Sequence, residues 1–556
     1  MKIITSKWLQ HLCLLVISQL IVTSAILAQG FSPAVQLRLQ HIIDSFQNNP
    51  ANPFVGGMSV AIKADGLALW QGATGYAARN VDEQNNLLPG GTLFTTGMLS
   101  RMYSVTKTFT APLVLELAKE GFFRLDDPVS NFIPMQLINP GLNPNVTIRQ
   151  LLAHESGYSD YTDEYMLQVA VAFQPTHVWT AFETISFCHQ INTPGAERRY
   201  SSTNYIMLGA IIETVTHKPI EQYYRERFFT PLGLSSMYLG GREPQDGHGV
   251  LVAPHDNLSP FNPIFQLTGQ PTFPDAYTNI SRFPSTAIVS LAFSGGGIVT
   301  NAADMAEWGN SLFGGRATSQ DILDTMLKSI SPTPDDGGDF LGYGLWTNKK
   351  ISATDSFVMH NGIAPGYKAL MAYQPDRKMT ISILTNYFGC DPYAIAKKLY
   401  EALPNFLCGN DNRKEWKILL CYKGNDICVA RQAAPELIKK GACLGSCAQQ
   451  PPATKNISAV NGDEQKRIKE EGTFTVFPNP FTSQVTIQFK VAQSGMVNLQ
   501  LYDLNGRLVK QLFSGNMREG MMKQITLQSL GLPGGTYSCR LQTTAGSSQR
   551  ILVLNK

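Results

Sequence analysis

Residues 102–109 read Met102-Tyr103-Ser104-Val105-Thr106-Lys107-Thr108-Phe109. They head an apolar stretch that predicts a helix over 106–121, with Phe109, Leu113, Leu117 and Ala118 on one face and Gly121 as its stop. Residues three apart on a helix are surface neighbours, so the Ser104 hydroxyl and the Lys107 amine share a face. A hydroxyl beside a desolvated amine is the smallest apparatus that makes serine a nucleophile without a histidine and an aspartate. A helix start also favours a developing negative charge, through its free N–H groups and its dipole. By composition roughly two Ser-x-x-Lys sequences are expected by chance in a chain of this length, so the motif needs company. Taken alone it reads as an N-capping serine and a solvated lysine.

The company lies downstream. Arg199-Tyr200-Ser201-Ser202-Thr203-Asn204-Tyr205 precedes an apolar run, and a tyrosine near Lys107 could relay a proton or be held as a phenolate. Met359-His360-Asn361-Gly362 leads through Pro365-Gly366-Tyr367 into alternating residues 368–374. Glycine at a strand edge allows close backbone approach and offers an N–H, which with that of Ser104 would form an oxyanion hole.

Around these motifs the pattern is α/β. Residues 57–64 and 67–74 read as two strands joined by Asp65-Gly66. Residues 147–240 read as mainly helical, 378–387 as a strand and 392–402 as a closing helix. Strands at both ends with helices between predict one sheet completed by distant segments, plus an inserted helical region.

In this order the three motifs resemble the penicillin-recognising serine hydrolases: class C β-lactamases, D-Ala-D-Ala carboxypeptidases of the same fold, and related esterases. The family pattern is Ser-x-x-Lys, Tyr-x-Asn, then Lys/His-x-Gly. Here it stands as SVTK, YSS and HNG. EGFFRLDDPVSNFIP after the first motif, TIRQLLAHESG at 147–157 and SGGGIVTNAADMAEWGNSLF at 294–313 extend the likeness, which covers about residues 35–403. The resemblance implies a β-lactamase/transpeptidase-like fold, an antiparallel sheet flanked by helices plus a helical region. It implies Ser104 as the acylated nucleophile, with Lys107 and Tyr200 sharing the proton work. The N–H groups of Ser104 and Ile363, beside Gly362, would hold the oxyanion, and His360 would face the far end of the substrate. His154 would be a structural residue at a helix end.

Two positions depart from the pattern. Ser202 stands where the family usually has Asn, and a hydroxyl is shorter and bonds fewer partners than a carboxamide. Asn204 lies two residues on. His360 replaces the lysine typical of β-lactamases and is mostly neutral near pH 7.5. Both point away from efficient β-lactamase action and toward an esterase or a D-amino-acid peptidase, on a small-molecule or peptide substrate. The alternative is a non-catalytic surface or binding protein that keeps the fold, motivated by Ser202. The nine histidines are scattered without His-Glu-x-x-His, so neither a metal nor another cofactor is expected.

The chain has 556 residues, 43% hydrophobic and 16% charged, with formal net charge +3 and mean hydropathy −0.08. That is globular, long enough for two or three domains, and offers no basic stripe for nucleic acid. Residues 1–28 read as a signal peptide: Lys2 and Lys7, an apolar run from Leu12 to Leu27, and Ala25-Ile26-Leu27-Ala28 before Gln29. No later segment is long and apolar enough to span a membrane, so no integral span is expected in the mature protein. The hydrolase region is taken as 29–405. Five of nine cysteines fall between 408 and 447, so 406–448 reads as a disulfide-stapled segment whose pairing stays open. Residues 449–472 are polar, with Pro451-Pro452, and read as a linker. Residues 473–556 give short alternating runs and the Asn505-Gly506 turn signal, a small C-terminal β-sandwich. Phe477-Pro478-Asn479-Pro480-Phe481, LYDLNGRLVKQL at 501–512 and GLPGGTYSCRL at 531–541 resemble the type A C-terminal sorting domain of the type IX secretion system of Bacteroidetes. That resemblance implies engagement of this machinery through 473–556. It implies passage across the outer membrane, then release or surface attachment.

Overall fold

The structure is a computed structural model that describes residues 30–48, 54–332, 340–410, 416–449 and 474–554, the last without 478–480, 482, 492, 503–507, 534 and 544–545. The expected signal peptide, nearly all of the expected linker and the Asn505-Gly506 turn lie outside the described residues. The chain divides into two compact units, Met1–Pro451 and Pro452–Lys556.

The first unit is built on a nine-stranded sheet. Its strands are β1 (Gly57–Ala64), β2 (Ala68–Val81), β3 (Leu87–Leu93), β4 (Ser331–Pro332), β5 (Phe340–Leu341), β6 (Trp346–Thr347), β7 (Val358–Ala364), β8 (Tyr367–Gln374) and β9 (Met379–Thr385). The order is β3-β2-β1-β9-β8-β7-β6-β5-β4 and every pairing is antiparallel. Met58 faces Thr385 and Ala64 faces Met379, so distant segments of the chain complete one sheet. Asp65 and Gly66 turn β1 into β2, with Gly66 at φ 69°.

Alternation along β1 feeds two cores. Met58, Val60 and Ile62 pack on helix α1 (Pro33–Gln47), while Ala61 joins the opposite cluster. That cluster includes α2 (Lys107–Lys119), the short α3 (Ile148–Leu152) and, further on, the central helix of the inserted region. The remaining helices that matter here are α4 (Tyr165–Phe173), α5 (Ser202–Thr216), α6 (Asn262–Thr268), α7 (Thr286–Gly296), α8 (Ala302–Phe313) and α9 (Pro392–Ala402). Helix α2 stops as expected: Phe122 N–H bonds Leu117 O, Gly121 N–H bonds Ala118 O, and Gly121 takes φ 87°. Helices α5 and α7 cross tightly, since a Cβ on Gly209 would come within 2.0 Å of Ser294 Oγ.

The cysteine-rich stretch forms β10 (Leu407–Asn410), β11 (Trp416–Tyr422), β12 (Asn425–Val429), α10 (Ala434–Lys439) and β13 (Cys443–Leu444). Disulfides join Cys408 to Cys428 and Cys421 to Cys447, which settles a pairing the sequence left open; Cys443 remains a thiol. Ile418, Leu420, Ala434 and Leu444 share one apolar cluster with α1 and α9, so the stretch is packed into the first unit.

The second unit is a β-sandwich. One sheet pairs β14 (Phe474–Phe477), β15 (Gln484–Lys490) and, beyond them, Met522–Gln528. The other joins β16 (Gly495–Tyr502), β17 (Leu508–Met517), β19 (Gly535–Thr543) and β20 (Gly546–Leu554), with Met522–Gln528 numbered β18. Val485, Ile487, Val497, Leu499 and Leu541 share its core. Strands β14 and β18 are not among the alternating runs read from the sequence, which cover 485–491, 497–503, 508–512, 536–542 and 550–554. Both are edge strands of their sheet; β14 is four residues long and β18 has mostly exposed side chains, so little apolar alternation marks them. Among the described residues no helix is long and apolar enough to cross a membrane.

Candidate active site

Ser104 lies in a single 3-10 turn, Tyr103–Thr106, that runs into α2. Ser100 and Arg101 pair with Thr300 and Val299, and Met102 N–H bonds Ile298 O, which ties this turn to the chain following α7. Ser104 is the only residue of 101–110 that is not buried. Tyr103 just before it takes φ 41°, and Phe293 inside α7 takes φ 33°. Bulky residues at positive φ store strain.

Lys107 is wholly buried. Its Nζ donates to Gly295 O at 2.7 Å, to Ser104 Oγ at 3.1 Å and to Ser202 Oγ at 3.3 Å. The amine stands 4.9 Å from the centre of the Tyr200 ring. Burial disfavours the charged form, outweighs the attraction of Asp160 and pulls the amine down to about 7. Burial pushes the Tyr200 phenol well above its ordinary value, against hydrogen bonding to Ser104 and Ser202. The phenolate considered from the sequence is therefore not the resting form, and Lys107 is the group poised near neutrality.

Ser202 opens α5 and does reach the lysine. Its own N–H bonds Asp160 Oδ2 at 2.8 Å. Asn204 does not: its Oδ1 accepts from Ser156 Oγ at 2.5 Å and its Nδ2 lies 3.4 Å from His154 Nδ1. One helical step carries Asn204 away from the face that Ser202 presents to Lys107, so the carboxamide braces the loop behind the site.

Gly362 and Ile363 lie on β7 beside the serine turn. A Cβ on Gly362 would sit 2.0 Å from Met102 O and 3.1 Å from Ser104 N. The glycine expected to admit a substrate backbone thus first admits the protein's own. Ile363 lines a cavity together with Ser104.

His360 departs from its expected place facing the substrate. Its ring is 1% exposed, its Nδ1 donates to Asn361 O at 2.7 Å, and its Nε2 accepts from Trp346 Nε1–H at 3.1 Å. Burial and the nearby Lys107 amine draw it down to about 3, so it stays neutral. Strand β7 alternates faces, and the turn of α2 below it leaves this position inside the protein.

His154 does more than end a helix. It follows α3 at φ 59°, its carbonyl accepts from Arg199 N–H and its Nδ1 accepts from Ser201 N–H. Its ring stacks on Tyr200 at 4.6 Å and on Tyr205 at 5.1 Å. Those contacts fix Tyr200 on both sides of its backbone and on one ring face. Gly295 O is the other contributor absent from the sequence reading. Its signal was the SGGG run at 294–297, whose small residues let a carbonyl approach the amine.

Comparisons with known proteins bear on the family and the fold. Residues 44–405 match the Beta-lactamase family, and residues 475–555 match the Secretion system C-terminal sorting domain. Protein flp of Staphylococcus aureus (strain MW2) is 25% identical over 335 residues, 60% of this chain and 60% of that protein. Unguisins hydrolase ungD' of Aspergillus campestris is 23% identical over 383 residues, 65% of this chain and 64% of that one. The chain thus spans less than two thirds of the length of these curated relatives. Among solved structures, the D-amino acid amidase from Ochrobactrum anthropi SV3 is similar with TM-score 0.54 at 25% identity, over 66% of this chain and 98% of that one. The D-stereospecific amidohydrolase from Streptomyces sp. shares the fold with TM-score 0.51 at 24% identity, over 66% of this chain and 97% of that one. A buried lysine on a serine hydroxyl, within a sheet of this order and a match over residues 44–405, places the chain in the β-lactamase family of serine hydrolases, with a secretion-system sorting domain at its C-terminal end.

Proposed function

We propose that this protein hydrolyses an ester or amide through an acyl-enzyme on Ser104, with weak or no action on β-lactams. The observation that carries the reading is the 3.1 Å contact between Lys107 Nζ and Ser104 Oγ, with the amine buried and drawn to about 7. In the neutral amine the lone pair accepts the Ser104 O–H over that same distance. Ser104 Oγ then bonds the substrate carbonyl carbon, and its proton passes to Lys107. The charge that moves onto the carbonyl oxygen is met by the N–H groups of Ser104 and Ile363. As the bond to the leaving group breaks, the Tyr200 phenol relays a proton to it and recovers one from the Lys107 ammonium. Water repeats the sequence on the acyl-enzyme and frees Ser104.

Two features support slow β-lactam turnover. Ser202 offers one hydroxyl where a carboxamide is usual, and His360 presents no charge to a carboxylate. The sorting domain marks the chain for export. We place the mature enzyme outside the cell or on its surface, after passage across the outer membrane. Labelling with a fluorophosphonate and a panel of p-nitrophenyl esters, D-alanyl peptides and nitrocefin tests the activity. Absence of any adduct or turnover that depends on Ser104 would overturn it. Recovery of a periplasmic protein that retains its tail would overturn the location.

A further inference from the structure

Ser104 opens onto a cavity of about 360 Å³. Its walls come mostly from the inserted helical region: Leu167 and Val171 of α4, Ile264 and Phe265 of α6, Ile288 and Leu291 of α7. Most of these belong to one apolar cluster, knitted by the 4.9 Å contact of Phe265 with Phe283. The volume lies within the range of small-molecule pockets and is more than twice the ~150 Å³ of a cavity that takes up benzene.

The polar side chains on the walls carry hydroxyls and one carboxamide: Tyr103, Ser104, Tyr161, Thr162, Ser202 and Gln168. Among the described residues no Lys, Arg, Asp or Glu lines the cavity. Asp160, next to Tyr161 in the chain, is spent on the N–H groups of Ser202 and Thr162. His360, neutral and bonded at both nitrogens, supplies no charge either. A substrate carboxylate or ammonium placed here would lose its water and find no partner, a large cost.

Which part of the substrate fills the cavity follows from its walls. Ser104 and Ile363 line it, and Tyr200 does not. In the reaction proposed above, on which this inference rests, the leaving group departs toward the proton donor Tyr200. The part that stays bonded to Ser104 Oγ is the acyl group.

We infer that the acyl group of the substrate is large, uncharged and apolar, an aromatic or medium-length alkyl chain seated among α4, α6 and α7. The preference is set by burial of methylenes and not by recognition of a charged terminus.

The test uses the full-length protein and p-nitrophenyl esters from acetate to decanoate. It adds the p-nitrophenyl monoester of octanedioic acid, whose tail ends in a carboxylate, each with the Ser104→Ala control. The expected result is a rise in kcat/KM of about two- to fourfold per methylene up to a chain that fills the cavity. The carboxylate-tipped ester falls below octanoate by roughly tenfold or more. Ile288→Trp, on the cavity wall, shifts the optimum to shorter chains, with kcat/KM for octanoate and decanoate falling by a larger factor than for acetate. Ser104-dependent turnover that is flat or falls with chain length, or that favours the carboxylate-tipped ester, overturns this inference and leaves the acyl-enzyme standing. Turnover that is absent, or unchanged in Ser104→Ala, overturns the acyl-enzyme itself.

Discussion

Lys107 Nζ sits 3.1 Å from Ser104 Oγ while its shortest bond, 2.7 Å, goes to the carbonyl of Gly295. The amine is held by neutral oxygens only, and burial draws it to about 7. A lysine paired with a carboxylate would stay charged; one held this way can take a proton.

Replacing this lysine separates activity from stability. Lys107→Met is expected to lower kcat/KM by about 10²- to 10⁴-fold, the usual worth of a positioned general base. It removes a group whose charged form is costly to bury, so thermal stability should hold or rise. Ester hydrolysis and melting curves on the same preparation check both. A variant within tenfold of wild type would remove Lys107 from the mechanism.

The pH dependence has a definite sign. Activity should climb through about pH 7 as Lys107 loses its proton in the folded protein. The unfolded chain keeps this lysine protonated up to about 10.4, so between the two values the unfolded state binds more protons. The cost of burying the charge is fully present below about 7 and is relieved as pH rises toward 10. The stability gap between Lys107→Met and wild type should therefore be widest below pH 7 and shrink above it. A gap that does not change from pH 6 to 9.5 would count against a buried, shifted lysine.

Ser202 and Asn204 should fail in different ways. Ser202→Ala deletes one bond to the amine and leaves Gly295 O, so kcat should drop about three- to tenfold with little change in melting temperature. Asn204→Ala leaves Ser156 Oγ without its buried acceptor and should cost about 1–3 kcal/mol in stability. Chemical denaturation and steady-state kinetics distinguish them. A large loss of kcat with no loss of stability in Asn204→Ala would place that residue in the chemistry instead.

Gly362→Ala should be the most damaging single-methyl change near the site. The added Cβ would meet Met102 O at 2.0 Å, and backbone on both sides must give way. A cost of about 1–3 kcal/mol is expected, with loss of Ser104 labelling as the N–H groups beside it shift. Normal fluorophosphonate labelling of a stable Gly362→Ala protein would contradict the close approach.

The cysteine-rich stretch is expected to behave as part of the first unit. Non-reducing peptide mapping should link 408 to 428 and 421 to 447, with Cys443 alkylated as a thiol. Truncation after Asn405 should destabilise the hydrolase region, because Ile418, Leu420 and Leu444 cover the cluster under α1 and α9. Truncation after Pro451 should not. Equal melting temperatures for the two truncations would show the stretch to be an independent appendage.

Much of this protein was legible in its sequence. SVTK, YSS and HNG in order, strands at 57–64 and 378–387 and helices over 106–121 and 392–402 carried the fold, because local spacing and alternation encode which face a residue takes. The alternating runs after 473 carried the sandwich in the same way, except for the edge strands β14 and β18, which left too little alternation to read. What lay beyond the sequence was set by contacts across long separations. Gly295 lies 188 residues from Lys107, and His154 reaches forward to grip Tyr200. The neutrality of His360 comes from Trp346 and its own strand, and the disulfide pairing from how β10 to β13 stack. The sequence determined the chemical groups and their order. Only the tertiary structure decided their charge, their partners and the uncharged cavity before Ser104, because desolvation and close packing belong to the folded ensemble of neighbours and not to any one segment.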